Sequence, residues 1–89
     1  MNAEELLKRY AAGERDFTKA DLANAKLINA HLVGVNLWGA NLEGANLAKA
    51  KLWGANLTGA NLINANLTRT NLCGAKLTEA NLRKAKLNY

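Results

Sequence analysis

The chain has 89 residues, lacks proline and has five aromatic residues (two Trp, two Tyr and one Phe), while alanine, asparagine and leucine dominate its composition. A single domain of this size buries only a modest conventional core, and the unusual composition points instead to a repeat. A net charge of +5 suits either polyanion binding or simple solubility, whereas the single cysteine, Cys73, excludes an intrachain disulfide framework.

The first predicted element is a short α-helix within residues 1–13. Asn2 followed by Glu5 is typical of a capping box, and Gly13 stands where it would end the helix. The apolar residues of this segment share one helix face: Ala3, Leu6, Leu7 and Tyr10. We expect this face to cover the first coil of the repeat that follows. A helix that binds a membrane or a partner is the alternative, which two turns of mixed charge disfavour.

From Phe17 onward, an apolar centre recurs every five residues without a slip, and a small residue, usually alanine, stands two positions before it. The centres are Phe17, Leu22, Leu27, Leu32, Leu37, Leu42, Leu47, Leu52, Leu57, Leu62, Leu67, Leu72, Leu77, Leu82 and Leu87. On an α-helix they would wind around every face, and in a straight strand they would alternate between faces. The pattern therefore predicts a chain that turns every five residues, so that four sides close a twenty-residue coil.

A fixed internal period predicts a solenoid, in which each unit buries its apolar side by stacking on its neighbours. The segment from about Arg15 to Tyr89 contains fifteen pentads, which would form nearly four coils. Neighbouring coils would stack about 4.8 Å apart through parallel β-type contacts. The second residue after the centre often tolerates the positive φ that type II turns require, as at Gly34, Gly39, Gly44, Gly54, Gly59, Gly74, Asn24, Asn29 and Asn64. The column of Asn29, Lys49, Arg69 and Tyr89 is expected to use another turn type.

The pentads ANLEG, ANLAK, ANLTG and ANLIN resemble the A(D/N)LXX signature of pentapeptide-repeat proteins. The opening ELLKRYAAGERDF resembles the N-terminal cap and first pentad of small members that are abundant in cyanobacteria. The resemblance implies an all-β solenoid, namely a right-handed quadrilateral parallel β-helix of about four coils with a short N-terminal α-helix cap. The period indicates the turning of the chain but not its hand. We expect a capping helix in residues 1–13 and the β-helix in residues 15–89, within a single domain.

Catalytic chemistry has little support in the sequence. His31 is the only histidine and occupies an outward position, so neither a two-histidine metal site nor a serine–histidine relay can form. We expect it to be an ordinary exposed residue, and Cys73 to be a surface thiol. The carboxylates are few and spread, with Asp16 and Asp21 on adjacent sides. We predict no enzymatic activity, no cofactor and no metal site.

Any function must therefore lie on the outward positions. Val33, Trp53 and Cys73 follow their centres on one side of the coil, and Trp38 lies on the neighbouring side. Exposed tryptophans are enriched at binding surfaces, so these four residues form a candidate interaction surface. The alternative is that both tryptophans lie flat over neighbouring side chains as simple surface packing.

Three function classes remain. The first is a non-catalytic scaffold or protein-interaction module with an unknown protein partner. The second is nucleic-acid or polyanion binding through basic residues of the last coils, which are opposed only by Glu79: Arg69, Lys76, Arg83, Lys84 and Lys86. The third, implied by the resemblance, is a DNA mimic that binds topoisomerases. It requires a negative surface, whereas the coils have four acidic and ten basic residues, so we favour the scaffold.

The C-terminal end of the pattern, up to Leu87, shows no cap comparable to the N-terminal helix. An open solenoid end exposes core and unpaired backbone. We expect either an end-to-end homodimer through this coil or a fragment of a longer solenoid. No apolar run is long enough for a membrane span, and the charged N-terminus lacks the apolar region of a signal peptide. We therefore expect a cytoplasmic protein without membrane contact.

Overall fold

The computed structural model describes residues 1–88, so the predicted role of Tyr89 as a corner lies outside the described residues. Helix α1 spans Ala3–Ala11. Its start is capped by Asn2, whose Oδ1 accepts the N–H of Glu5 at 2.8 Å. At its end the chain passes through Gly13 with φ 104°, and the N–H of Glu14 donates to the carbonyl of Arg9 at 3.0 Å. Helix α1 therefore lies within the predicted residues 1–13, and Asn2 accepts one of the two hydrogen bonds of a capping box.

Residues 15–88 pair with one another at a separation of twenty residues. Eleven isolated parallel bridges join such residues, from Asp16 with Asn36 to Asn66 with Lys86. Backbone hydrogen bonds of 2.7–3.1 Å follow the same register on both sides of each bridge. Each strand is therefore a single bridged residue between two turns, and the sheet hydrogen bonds run along the solenoid axis.

This register divides the solenoid into four faces, each made of pentads twenty residues apart. The first face comprises residues 15–19, 35–39, 55–59 and 75–79. The second comprises 20–24, 40–44, 60–64 and 80–84, and the third comprises 25–29, 45–49, 65–69 and 85–88. The fourth comprises 30–34, 50–54 and 70–74.

The core consists of the predicted centres and the small residues before them. From Phe17 to Leu67 every centre is at most 2% exposed, and each such burial contributes on the order of 1.5–3 kcal/mol before conformational entropy is subtracted. Thr70 occupies an alanine position and is buried, and its hydroxyl donates to the carbonyl of Leu47 at 2.6 Å. In the last described coil the centres are less covered, and Leu87 is 45% exposed.

All fourteen described corners share one backbone conformation, with φ between 58° and 71° at the second residue after the centre. The expectation of another turn type for Asn29, Lys49 and Arg69 is therefore wrong, because their φ values are 62°, 61° and 58°. The reason is the register: the N–H of Lys49 donates to the carbonyl of Thr68 in the next coil at 2.9 Å, as glycine N–H groups do at other corners. This bonding imposes the left-handed conformation at a cost of about 1 kcal/mol for a non-glycine residue.

Helix α1 packs against the first coil. Leu6 and Tyr10 are buried in the same cluster as Phe17, and Ala3 and Leu7 are partly buried against it. The amphipathic face predicted from the sequence is thus the face that meets the solenoid. Within residues 1–88, no helix has the length and apolar character needed to cross a membrane.

Candidate interaction surface

The residue before each centre determines whether the backbone N–H after that centre has a side-chain acceptor. Where it is asparagine or aspartate, its Oδ1 accepts the N–H of the residue after the centre, as Asn36 does for Trp38 at 3.0 Å. The other acceptors are Asp16, Asp21, Asn41, Asn46, Asn56, Asn61, Asn66, Asn71 and Asn81. His31 and Lys51 replace this acceptor at stacked positions of the fourth face. Two of the three pentads of the fourth face therefore lack this acceptor, and on the third face Lys26 and Lys86 replace it in two of four pentads.

Val33, Trp53 and Cys73 are stacked on the fourth face, as the sequence predicts. The N–H of Gly34 donates to the carbonyl of Trp53 at 3.0 Å, and that of Gly54 donates to the carbonyl of Cys73 at 2.8 Å. Trp53 is 38% exposed and the Cys73 thiol is exposed, whereas Val33 is half-buried. Trp53 is therefore the largest apolar group that this face presents to solvent.

His31 makes two aromatic contacts that the sequence does not reveal. Its ring centroid lies 6.1 Å from that of Tyr10 and 6.2 Å from that of Trp53, both in edge-to-face geometry. His31 is exposed as expected, yet it also links helix α1 to the tryptophan of the next coil. The separation of 22 residues between His31 and Trp53, one coil plus two, is the signal that could have predicted this contact.

Trp38 lies on the first face and has a different environment. The ammonium group of Lys19 lies 5.5 Å from its ring centroid, within the range of a cation–π contact. Trp38 is 42% exposed, and within residues 1–88 no ring contact joins it to Trp53. Of the four residues of the candidate interaction surface, Val33, Trp53 and Cys73 thus lie on the fourth face, and Trp38 lies on the adjacent first face.

The five predicted polyanion residues are exposed but do not form one cluster. Arg83 and Lys84 belong to the second face and Lys86 to the third, so these three lie around one corner. Lys76 is on the first face, and Arg69 is at the corner between the third and fourth faces. At that corner Arg69 is stacked with Lys49, which was predicted as a corner residue but not as one of the polyanion residues.

The titratable groups whose pKa is shifted serve local structure. The guanidinium of Arg9 donates to Glu14 at 2.7 Å and lowers the pKa of that carboxyl. The hydroxyl and N–H of Thr18 both donate to Asp16 and lower its pKa. Within residues 1–88, no three His, Cys, Asp or Glu side chains converge as they would around a metal ion.

The sequence matches the family model described as Pentapeptide repeats in eight copies, over residues 16–54, 25–62 and 55–88. The chain belongs to the pentapeptide-repeat family. Pentapeptide-repeat proteins fold as right-handed quadrilateral β-helices and are generally non-catalytic structural modules. The bridges between residues twenty apart, one coil of four pentads, agree with that architecture.

Two solved structures illustrate the relationship. A pentapeptide repeat protein from the thylakoid lumen of Arabidopsis thaliana is 34% identical, with a TM-score of 0.77 over 81% of this pentapeptide-repeat chain. The matched part is 50% of that protein, so this chain spans about half its length. A pentapeptide repeat protein from the cyanobacterium Nostoc PCC 7120 is 37% identical over 89% of this chain and 74% of its own, with a TM-score of 0.42. No match was found among curated proteins.

Proposed function

We propose that this pentapeptide-repeat protein is a non-catalytic scaffold that binds another protein through its fourth face. The observation that carries the proposal is Trp53, which is 38% exposed at the centre of that face and packed edge-on against His31. Tryptophan is enriched among residues that dominate binding energy, and a rigid backbone lowers the entropy cost of binding. The inward positions are occupied by core packing, so recognition falls to the outward ones.

The architecture that we propose for this scaffold is a β-helix of about four coils in residues 15–89, closed at one end by a helical cap in residues 1–13. The burial of Leu6 and Tyr10 against the first coil supports the cap. Non-catalytic action is supported by the family's general character. The cytoplasmic location remains a prediction, and the Arabidopsis relative is from the thylakoid lumen.

The test is a pull-down that compares tryptophan variants with a matched apolar control. Trp53→Thr and Trp38→Thr introduce the residue that the repeat already has at Thr58 and Thr78. Ile28→Thr removes a 53% exposed side chain from the equivalent position on the third face. We expect a protein captured by the wild type to be captured by Ile28→Thr and lost with Trp53→Thr.

Circular dichroism and thermal unfolding must show that all three variants fold. Equal capture by the wild type and Trp53→Thr would refute the fourth face as the binding surface. Loss with Trp38→Thr alone would move the surface to the first face. Unfolding of Trp53→Thr would instead support the alternative that the tryptophan is surface packing.

Polyanion binding is the second candidate. It is favoured by the exposure of Arg83, Lys84 and Lys86 around one corner, with Glu79 the nearest acidic residue in the sequence. Basic residues that contact phosphates release counterions, so this binding should weaken steeply with salt. A mobility-shift titration with DNA and RNA at low salt tests it, and no shift would exclude it. The DNA-mimic role has the least support, because the surface charge has the wrong sign.

Self-association is a further part of the proposal on partners. The partly exposed centres Leu72, Leu77 and Leu82, together with Leu87, would be covered if two last coils stacked end to end. In a longer chain, a further coil would cover the same surface. Since the last coil is basic, the dimer should form more readily at high salt, where like charges are screened. Sedimentation velocity at two ionic strengths tests this, and a monomer at both would oppose it.

A further inference from the structure

We infer that the partner segment bound by the fourth face is acidic and extended. The inference rests on the proposed function, namely that this face binds a protein, and adds the chemistry of what it binds. It is carried by three basic residues: Lys49 and Arg69 at one edge of the face, and Lys51 in the same pentad as Trp53.

The fourth face and its third-face corner have no acidic residue. Residues 29–34, 49–54 and 69–74 have Lys49, Lys51 and Arg69 as their charged side chains, and all three are exposed. The N–H of Lys49 donates to the carbonyl of Thr68 at 2.9 Å, so Lys49 and Arg69 occupy the same corner one coil apart, about 4.8 Å along the axis. The ion pairs within residues 1–88 all involve Arg9. The three charges therefore act on solvent rather than on protein carboxylates.

The shape of the face suits an extended chain. Its far edge is the corner column of Gly34, Gly54 and Gly74, and no atom lies within 4 Å of a Cβ built at Gly34 or Gly54. The glycine edge therefore presents no side chain that would block a bound segment. Trp53, which is 38% exposed, lies between this edge and the edge formed by Lys49 and Arg69. An extended segment could place an apolar side chain against Trp53 and carboxylates on Lys49, Lys51 and Arg69.

A peptide fits these observations better than single-stranded nucleic acid. Nucleic-acid grooves offer several aromatic platforms on which successive bases stack. Here Tyr10 is 9% exposed, and the exposed ring of His31 packs edge-to-face against Tyr10 and Trp53, so that it does not lie parallel to Trp53 as a second stacking platform. One tryptophan remains available, which matches a single anchor side chain surrounded by charges.

The chain contains a matched control for the charges. Lys49 and Lys84 are corner residues with the same φ of 61°, and Lys51 and Lys86 both precede a centre. Lys49→Glu with Lys51→Glu and Lys84→Glu with Lys86→Glu therefore make the same charge change at equivalent backbone positions. Glu79, with φ 60°, shows that glutamate is accepted at a corner.

The experiment measures fluorescence anisotropy of a short fluorescein-labelled peptide, rich in glutamate around one central tyrosine, at low salt. A peptide with glutamine in place of glutamate and an oligothymidylate serve as the other probes. We expect the Lys49/Lys51 variant to weaken binding of the acidic peptide about tenfold, because two attractions become repulsions. The Lys84/Lys86 variant should change it less than about threefold, and Trp53→Thr should weaken it too.

Each other outcome has a defined meaning. Equal weakening by the two charge variants, or tighter binding of oligothymidylate than of the acidic peptide, would overturn the inference. Binding of the glutamine peptide as tight as that of the acidic one, still lost with Trp53→Thr, would overturn the acidic specificity while sparing the proposed function. If no peptide responds to Trp53→Thr, the proposed binding face itself fails.

Discussion

The hydroxyl of Tyr10 donates a 2.6 Å hydrogen bond to the carbonyl oxygen of Val33. One coil later, the equivalent carbonyl of Trp53 accepts the N–H of Gly34 from the preceding coil. Val33 belongs to the first coil of its face, so no preceding corner is there to donate, and the tyrosine supplies the missing donor. Helix α1 thereby supplies one donor to the edge of the first coil, and its residues Leu6 and Tyr10 are buried in the same cluster as Phe17.

Removing this hydroxyl should destabilise the protein. Tyr10→Phe keeps the ring but leaves the Val33 carbonyl without its donor, and we expect a loss of about 1 kcal/mol in the free energy of unfolding. Tyr10→Ala should cost more, because the ring also contacts His31 and the guanidinium of Arg15 at 3.7 Å. Chemical denaturation followed by circular dichroism measures both. Equal stability of Tyr10→Phe and the wild type would contradict this role.

Lys51→Asn should stabilise the protein. The N–H of Trp53 has no hydrogen-bond acceptor within residues 1–88, whereas the N–H of Trp38 has Asn36. An asparagine at position 51 would supply that acceptor and raise the free energy of unfolding by about 0.5–1 kcal/mol. The reverse change, Asn56→Lys, removes the acceptor from Thr58 and should cost a similar amount. If chemical denaturation shows that Lys51→Asn raises and Asn56→Lys lowers the free energy of unfolding, the asparagine acts as the predicted acceptor. If both variants change it in the same direction, the prediction is refuted.

Alanine at Gly44 should cost more than alanine at Gly54. Both glycines have φ near 70°, so either substitution carries a strain of about 1 kcal/mol. A Cβ at Gly44 would also displace the exposed side-chain amide of Asn24, which can rotate away at a small further cost, whereas one at Gly54 meets nothing within 4 Å. Adding Asn24→Ala should reduce the cost at Gly44 to that at Gly54. A thermal-unfolding series tests this, and equal single-variant costs would contradict this difference.

Stability should decline in acid through Asp16 and Glu14. Hydrogen bonds from Thr18 and Arg9 lower the pKa of these carboxyls below their usual values of 3.8 and 4.5. A lowered folded-state pKa contributes stability above the unfolded-state pKa, and this contribution disappears as the pH falls through the folded value. The melting temperature should therefore decrease as the pH is lowered below about 4.5.

The matched variants for this pH dependence are Asp16→Asn and Glu14→Gln. Asparagine at position 16 keeps the acceptor for the N–H of Thr18, as Asn36 does for Trp38, while removing the titration. The melting temperature of Asp16→Asn should depend less steeply on pH in the acid range. A dependence identical to that of the wild type in both variants would assign the acid transition to other groups.

Much of the fold follows from local pattern. The period of five places every centre from Phe17 to Leu67 in the core, because only a chain that turns at each pentad can bury them all. Asn2 and the amphipathic face of α1 follow from short-range rules. The corners at Asn29, Lys49 and Arg69 were predicted wrongly, because residue preference was given more weight than the hydrogen bonds between coils.

By itself, the sequence determined the repeat, the register of twenty residues and the set of outward positions, since these depend on spacing along the chain. Only the tertiary structure decided which groups meet: the rings of His31 and Trp53, and the hydroxyl of Tyr10 with the backbone carbonyl of Val33. These contacts join separate coils, or a helix and a coil. They depend on side-chain direction and on how α1 lies across the first coil, which a five-residue period does not specify.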